Sequence, residues 1–222
     1  MNKLNHVAFI MDGNGRWGKL RKKGRNFGHL NGVRTVKKIV ETSIGLKIPI
    51  VTFYVFSTEN WKRPKSEINF LFKLIVNYFK EEIDSLVENG IKINIIGKIN
   101  KLPEKIRYSL KQVIKLTKKN KKIIVNLAIN YGSKDEIINS VKKIKKKITI
   151  KSIESNLYTK NLPNPDILIR TGGHKRLSNF MLWQLAYSEI YFLRKLWPDF
   201  SGQDLCKIIN DFKKIKRNFG AI

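Results

Sequence analysis

The chain has 222 residues, one cysteine (Cys206) and a formal net charge of +28 at pH 7, with a pI near 10.2. That length fits one α/β domain over residues 1–222 with a sizeable core; the lone cysteine excludes an intrachain disulfide and fits a reducing cytosol; and no apolar run approaches a membrane span. Lysine is spread along the whole chain beside abundant Ile and Asn, the pattern of an AT-rich genome, so a solvated coat is expected and no nucleic-acid partner; the remaining functional reading is attraction to diphosphate substrates and anionic lipid headgroups.

The first residues lack the long apolar stretch of a secretory leader, and Val7 to Met11 reads as a buried strand. It runs into Asp12-Gly13-Asn14-Gly15-Arg16-Trp17, which packs one carboxylate, two glycines and one guanidinium into a single turn. Glycine lets the backbone approach a ligand closely. Turn N–H groups can point at phosphate oxygens, and Arg16 offers a permanently charged fork to the same oxygens. Asp12, at the carboxyl end of the strand, can hold a divalent cation or take a proton. The hexapeptide alone is equally compatible with a Gly-rich turn closed by a salt bridge. Gly28-His29-Leu30-Asn31-Gly32 then opens a helix, expected from Gly32 to Ser43 and closed by Gly45.

Ile50 to Phe56 is the second strand. It leads into Phe56-Ser57-Thr58-Glu59-Asn60-Trp61-Lys62-Arg63-Pro64, whose aromatics, Ser, Asn and Arg suit a site that is half apolar and half anionic. A helix is expected from Glu67 to Glu88, with Ser66 as N-cap and Gly90 as terminator. Ile68, Phe72, Ile75, Phe79, Ile83 and Leu86 follow helical spacing, and Leu71, Leu74 and Tyr78 widen the stripe. A buried core helix accounts for that pattern.

Strands are expected at Ile91–Ile96 and Ile123–Ile129, with helices at Pro103–Lys119 and Lys134–Lys146. The lysines from Lys142 to Lys147 complement a helix dipole and read as a solvated terminus. Ile167 to Ile169 is a fifth strand, running into Arg170-Thr171-Gly172-Gly173-His174-Lys175-Arg176-Leu177-Ser178-Asn179-Phe180 and a helix-like segment from Met181 to Tyr187. A last strand at Ile190–Leu193 precedes a helix from Gln203 to Ile215 capped by Ser201. Apolar strands without alternation, separated by helices, give an α/β fold: a central, mostly parallel six-stranded sheet flanked by helices. Open α/β sheets bind ligands at the carboxyl ends of their strands. Two anion-ready loops at that edge point to two phosphate groups, or to one substrate carrying several.

Asp-Gly-Asn-Gly-Arg-Trp, Gly-His-x-x-Gly, Phe-Ser-x-Glu-Asn-Trp-x-Arg-Pro and Arg-Thr-Gly-Gly-x-x-Arg-x-Ser-Asn-Phe, in this order, resemble the cis-prenyltransferases, in particular the bacterial undecaprenyl diphosphate synthase branch. The resemblance runs from about His6 to the carboxyl end. It implies condensation of isopentenyl diphosphate onto an allylic diphosphate, farnesyl diphosphate by default. The implied product is a long Z-polyprenyl diphosphate, by default the C55 carrier for wall polysaccharide, with a shorter-chain product as the alternative.

The resemblance also implies roles for residues. Gly13, Asn14, Gly15, Arg16, Arg25 and His29 would hold the allylic diphosphate, with Trp17 as a further substrate-binding residue. Arg170, Arg176 and Ser178, with Arg16, would hold isopentenyl diphosphate. Phe56, Ser57, Glu59, Asn60, Trp61 and Arg63 belong to a loop that closes over both, with Phe56 and Trp61 shielding a cationic allyl carbon. Asp12 would hold Mg2+, with Glu189 as a further ligand. Asp12, Asn14, His29, Ser57 and Asn60 form the implied catalytic set. The proton acceptor stays open among Asn14 acting through water, Ser57 and the leaving diphosphate. The long helix would line a hydrophobic tunnel, with Leu86, Val87, Ile96 and Ile129 as floor candidates.

A homodimer is implied around the last strand, with the Arg217–Gly220 tail reaching the neighbouring site. Transient membrane contact for product release is implied too, by a protein in the cytoplasm or at the inner face of the membrane. His174 departs from the family pattern, standing where an acid is common. The acidic pairs Glu81-Glu82 and Asp135-Glu136 lack the Asp-Asp-x-x-Asp spacing of trans-type synthases. Two non-enzyme readings remain, a nucleic-acid binder and an inactive scaffold subunit; intact Asp12, Asn14, Arg16, Arg170 and Arg176 argue against the scaffold.

Overall fold

Each of the six apolar runs forms a strand in the computed structural model, which describes residues 2–217. They are β1 (His6–Ile10), β2 (Ile50–Ser57), β3 (Ile91–Ile96), β4 (Ile123–Tyr131), β5 (Ile167–Arg170) and β6 (Glu189–Phe192). Every pairing is parallel, in the order β3-β4-β2-β1-β5-β6. The helices are α1 (Asn14–Leu20), α2 (Gly24–Gly45), α3 (Lys65–Glu88), α4 (Glu104–Thr117), α5 (Ser133–Lys143), α6 (Ile150–Glu154) and α7 (Gly202–Lys214). None is long and apolar enough to cross a membrane among the described residues.

The differences from expectation have local causes. The Asp12–Trp17 turn continues as α1, and Gly28-His29-Leu30-Asn31-Gly32 lies inside α2 instead of opening it. A Cβ at Gly28 would stand 1.8 Å from the Asn14 carbonyl oxygen, and one at Gly32 would stand 2.3 Å from Asn14 Oδ1. The glycine pair therefore lets α2 cross the start of α1 at backbone distance. α3 starts at Lys65 with Pro64, not Ser66, at the N-cap. Met181 to Tyr187 forms turns, not a helix: Ser178, Asn179 and Met181 have φ of 50°, 62° and 45°. Left-handed residues do not propagate a right-handed helix. The apolar character of that segment comes instead from Phe180, Met181 and Leu185, buried in the core. Ser201 caps α7 as expected, its Oγ accepting from the Asp204 N–H at 3.3 Å.

The two faces of the sheet differ. Under α2 and α3, Phe9 stacks on Phe53 at 4.9 Å, and Trp197 stacks on Phe200 at 5.6 Å. On the other face a row of hydrogen bonds crosses four strands. Asn94 Nδ2 donates to Asn126 Oδ1 (2.8 Å), Asn126 Nδ2 donates to Thr52 Oγ1 (2.9 Å), and Thr52 Oγ1 meets His6 Nε2 at 2.6 Å. His6 Nδ1 donates to the Pro163 carbonyl at 2.8 Å, which fixes the tautomer. Burial pushes the His6 imidazole down to about 4, against the Pro163 hydrogen bond and Asp166, so the ring is neutral at pH 7.

Candidate active site

The loops after β1, β2 and β5 and the first turns of α2 enclose a cleft of about 620 Å³ at the carboxyl edge of the sheet. Open parallel sheets place ligands at this edge. Asp12 to Arg16 line one wall, Ser57, Glu59, Asn60 and Arg63 a second, and Arg170, Ser178 and Asn179 a third.

Asp12 is the first node. Its Oδ2 accepts from Arg170 Nη2 at 3.0 Å and its Oδ1 from Arg16 Nη2 at 3.2 Å. Arg16 Nη2 also donates to the Gly172 carbonyl at 2.7 Å. A Cβ at Gly172 would meet that nitrogen at 2.6 Å, so only glycine fits there, at φ +87°. The sequence offered Glu189 as the nearby acid for Arg170, leaving phosphate as the economical partner; the structure supplies Asp12 instead, two residues past the end of the adjacent strand β1. Arg170 is 3% exposed. It also donates to Ser178 Oγ at 2.8 Å and to the Arg176 carbonyl, while its buried Nε has no partner among the described residues. A buried N–H left unpaired costs about 1–3 kcal/mol, so an anion beside it would be favoured.

Glu67 is the second node, and the sequence reading placed it only at a helix start. Arg25 grips both of its oxygens through Nε and Nη2 at 2.9 Å each. Arg63 Nη1 stands at 3.0 Å and His29 Nε2 at 3.2 Å. Burial alone would raise the Glu67 carboxyl, but Arg25, Arg63 and His29 outweigh it and hold the group down at about 2. Burial lowers the His29 imidazole, with Glu67 opposing and the nearby arginines assisting. The signal for Glu67 was its place four residues after Arg63, just inside the helix.

The third loop ties itself to the others. Asn60 Oδ1 accepts from the Ser57 N–H at 3.1 Å. Glu59 Oε1 accepts from Asn179 Nδ2 at 2.8 Å, joining the loops after β2 and β5. The Tyr54 hydroxyl, another cleft group the sequence reading missed, donates to the Tyr131 and Ser178 carbonyls at 3.3 Å each.

Below Asn14 and His29 the cleft gives way to an apolar cavity of about 110 Å³ between α2, α3 and the sheet, walled by Val36, Val55, Leu71, Leu74, Ile75 and Tyr78. A deeper cavity of about 90 Å³ shares Val36, Tyr78, Phe79 and Leu127 with it and reaches Leu86, Ile91, Ile93 and Val125. The wide stripe on α3 thus serves both packing and the lining of two apolar cavities. Of the floor candidates, Leu86 lines the deep end. Ile129 lines the upper cavity, Val87 is exposed, and Ile96 is buried in the core cluster of Ala8 and Tyr131.

Other expected site residues lie elsewhere. Trp17 donates from Nε1 to Asp199 (2.6 Å) and stacks on Phe27, outside the cleft. Phe56 is buried against Phe72 and walls the upper apolar cavity. Trp61 donates to Asn130 Oδ1 (2.8 Å), packs on Phe56 and Phe72, and lines a separate hollow beside Lys98 and Lys101. The Arg176 side chain is exposed, and His174 is exposed too. Glu189 starts β6 in register with Ile167, three residues before the Arg170 level, and stands 3.6 Å from Arg217. At about 3.3 Å per residue, that separation takes it out of Asp12's reach within one chain. Arg217 is engaged by its own chain, at Asp166 and the Tyr187 carbonyl. Gly220 lies outside the described residues.

No group of three His, Cys, Asp or Glu side chains suited to a metal occurs among the described residues. Mg2+ commonly takes only one or two carboxylates and completes its shell with substrate phosphates and water. Asp12, in the cleft between two arginines suited to phosphate, fits that donor set; Glu189 does not join it.

Comparison with known proteins agrees with this geometry. A family model described as "Putative undecaprenyl diphosphate synthase" matches residues 10–220. An isoprenyl transferase of Clostridium perfringens is 44% identical over 227 residues, covering 98% of this chain and 90% of the relative. One from Rickettsia typhi is 44% identical and covers 99% of both chains. The solved structure of lavandulyl diphosphate synthase from Lavandula x intermedia, in complex with dimethylallyl diphosphate, matches with a TM-score of 0.93 at 33% identity, covering 97% of this chain and 98% of that one. With family motif, fold and cleft in agreement over nearly its whole length, the chain belongs to the undecaprenyl diphosphate synthase family of prenyltransferases and is an enzyme of the transferase class.

Proposed function

We propose that this prenyltransferase, one catalytic domain over residues 1–222, condenses isopentenyl diphosphate onto farnesyl diphosphate to build a long Z-polyprenyl diphosphate, the C55 carrier for wall polysaccharide. The observation that carries the reading is the junction of the cationic cleft with the two apolar cavities. Such a site suits an amphiphile with a diphosphate head and a growing hydrocarbon tail. Each added isoprene buries five carbons, at most about 4 kcal/mol at roughly 0.8 kcal/mol per carbon. Growth is therefore favoured until the channel is full.

The loop from Gly13 to Arg16, with Arg25 and Arg63, holds the allylic diphosphate above the channel mouth. Arg170, Ser178 and Arg16 hold isopentenyl diphosphate. The Glu59–Asn179 bond draws the two loops together, and further closure would exclude water from a cation-like transition state. Asp12 would hold Mg2+, which when bound would supply charge neutralisation of the diphosphate leaving group. Asn14, whose Oδ1 lacks a partner among the described residues, and Ser57 stand in the cleft as proton-handling groups.

The active form is read as a homodimer through the open edge of β6, where Ile190 is 39% exposed. The protein is read as cytoplasmic, touching the inner membrane face to release product. A shorter-chain product is the second reading, favoured by the small volume of the two cavities, about 110 and 90 Å³. Incubation with farnesyl diphosphate, labelled isopentenyl diphosphate and Mg2+, followed by sizing of the lipid products, tests the proposal. Products of one or two additions favour the second reading, and no product at all sinks both.

A further inference from the structure

The helices of a parallel sheet return the chain to the amino edge of the strands. Here α2, α3 and α4 all end at that edge, opposite the cleft. Each end exposes an apolar side chain: Leu46 is 38% exposed, Val87 41% and Leu116 53%. Lys47 stands beside the first, and Lys118, Lys119, Lys121 and Lys122 follow the last, all exposed. Lysines in a last helical turn answer the helix dipole, but Lys121 and Lys122 lie beyond α4. None of these five lysines takes part in an ion pair among the described residues. Three exposed acids lie near these helix ends, Glu41 on α2 and Asp84 and Glu88 on α3, against the five lysines, which leaves the face cationic.

This face is joined to the channel. Asn120 Nδ2 donates to the Leu86 carbonyl at 3.1 Å and to the Ile91 carbonyl at 2.8 Å, fastening the lysine loop to the end of α3 and the start of β3. Leu86 and Ile91 line the deeper apolar cavity. Exposed Glu41 and Asn89 line it as well, so that cavity meets the surface between α2 and α3. Exposed aliphatic residues with a cluster of lysines beside them, at the far end of the apolar cavities, match the chemistry of a bilayer interface.

We propose that this amino-edge face docks on an anionic lipid bilayer, so that the polyprenyl tail passes from the deep cavity into the acyl layer while its diphosphate is still held in the cleft. The inference rests on the proposed function for the existence of the tail, and on the surface itself for the docking. Each lysine near an anionic surface contributes roughly fivefold in affinity.

The full chain, without substrates, is sedimented with phosphatidylcholine vesicles made with and without phosphatidylglycerol. The expected result is binding to the anionic vesicles only, weakening as salt rises. A variant carrying Lys118→Glu, Lys119→Glu, Lys121→Glu and Lys122→Glu should bind about a hundredfold or more weakly. The same charge change at Lys142, Lys143, Lys145 and Lys146 should cost only a few-fold. A Val87→Ser, Leu116→Ser pair keeps the charge and should also weaken binding, which guards against a charge variant that fails to fold. Equal losses from the two lysine clusters, or failure of the wild type to bind anionic vesicles while it binds RNA, would overturn the proposal. Turnover in detergent is measured in parallel. Intact turnover without vesicle binding rejects the docking face alone; vesicle binding without turnover rejects the proposed reaction.

Discussion

Arg170, nearly buried at the end of β5, has its charge balanced by Asp12 beyond the end of the neighbouring strand β1, at 3.0 Å. A loop carboxylate that the sequence offers as a cation holder or a salt-bridge partner is thus also a counter-ion of the interior. Asp12→Ala should lower turnover by orders of magnitude and lower the melting temperature as well. The stability loss should fall below the roughly 3–5 kcal/mol of a fully buried pair, because the Asp12 side chain is 27% exposed. Calorimetry beside a turnover assay reads both; near-normal turnover in saturating Mg2+ would remove Asp12 from the mechanism.

Arg170 and Arg176 should separate. Arg170→Ala breaks a buried network and should cost roughly 2–5 kcal/mol in apparent affinity for isopentenyl diphosphate, with a clear drop in Tm. Arg176→Ala removes an exposed side chain whose carbonyl, not its guanidinium, holds Arg170. Its stability should stay within about 0.5 kcal/mol, and its effect should appear in KM for isopentenyl diphosphate. Weakened farnesyl diphosphate binding in either variant reverses the loop assignment.

Glu67 predicts a pH dependence. Its folded value of about 2 lies below the ordinary 4.5. A depressed carboxylate contributes stability that is present above its unfolded value and lost as pH falls through the folded one. Wild type should therefore exceed Glu67→Gln by at most about 3 kcal/mol above pH ~5, and the gap should close between about 4.5 and 2. Chemical denaturation of the two proteins across that window checks it; a constant gap means the contribution is packing and not charge.

Tyr78, together with Val36, Phe79 and Leu127, lines both cavities. Tyr78→Ala should join them and shift the products toward longer chains, at a stability cost of about 3–5 kcal/mol if the cavity does not collapse. Leu71→Trp, at the channel mouth, should shorten them. Chromatography of labelled products decides; an unchanged distribution in both variants rejects this channel as the ruler of length.

Ile190 lies on the unpaired edge of the sheet. Ile190→Asp should turn a sedimenting dimer into a monomer with reduced activity. A fully active wild-type monomer at micromolar concentration would falsify the dimer and leave Ile190 an ordinary surface residue.

The fold was largely legible because strands buried on both faces are written as unbroken apolar runs, such as Ile91–Ile96, whose bounds match the structure. Motif residues close to the strand ends, such as Asp12, Arg16, Arg170 and Ser178, met in the cleft for the same reason. What sequence could not give was direction. Trp17 and Trp61 sit within motifs yet turn outward, because Asp199 and Asn130 capture their indole N–H groups from distant parts of the chain. Glu67 was hidden because its partners Arg25 and His29 lie about forty residues away and meet it only when α2 packs against α3. Met181 to Tyr187 misled because apolar content speaks of burial, whereas helicity needs backbone angles that Ser178, Asn179 and Met181 do not have.

The polar row Asn94–Asn126–Thr52–His6–Pro163 bears on how this sheet assembles without error. Parallel sheets form late, from segments far apart in sequence, and smooth runs of Ile and Val can slide past one another at little cost. A slip of one residue turns every side chain to the opposite face. It would strand two asparagine amides, a hydroxyl and an imidazole in hydrocarbon, each without its donor or acceptor. The row therefore works as a register lock: a misaligned sheet would leave these groups unpaired in hydrocarbon at about 1–3 kcal/mol each, a cost the aligned sheet escapes.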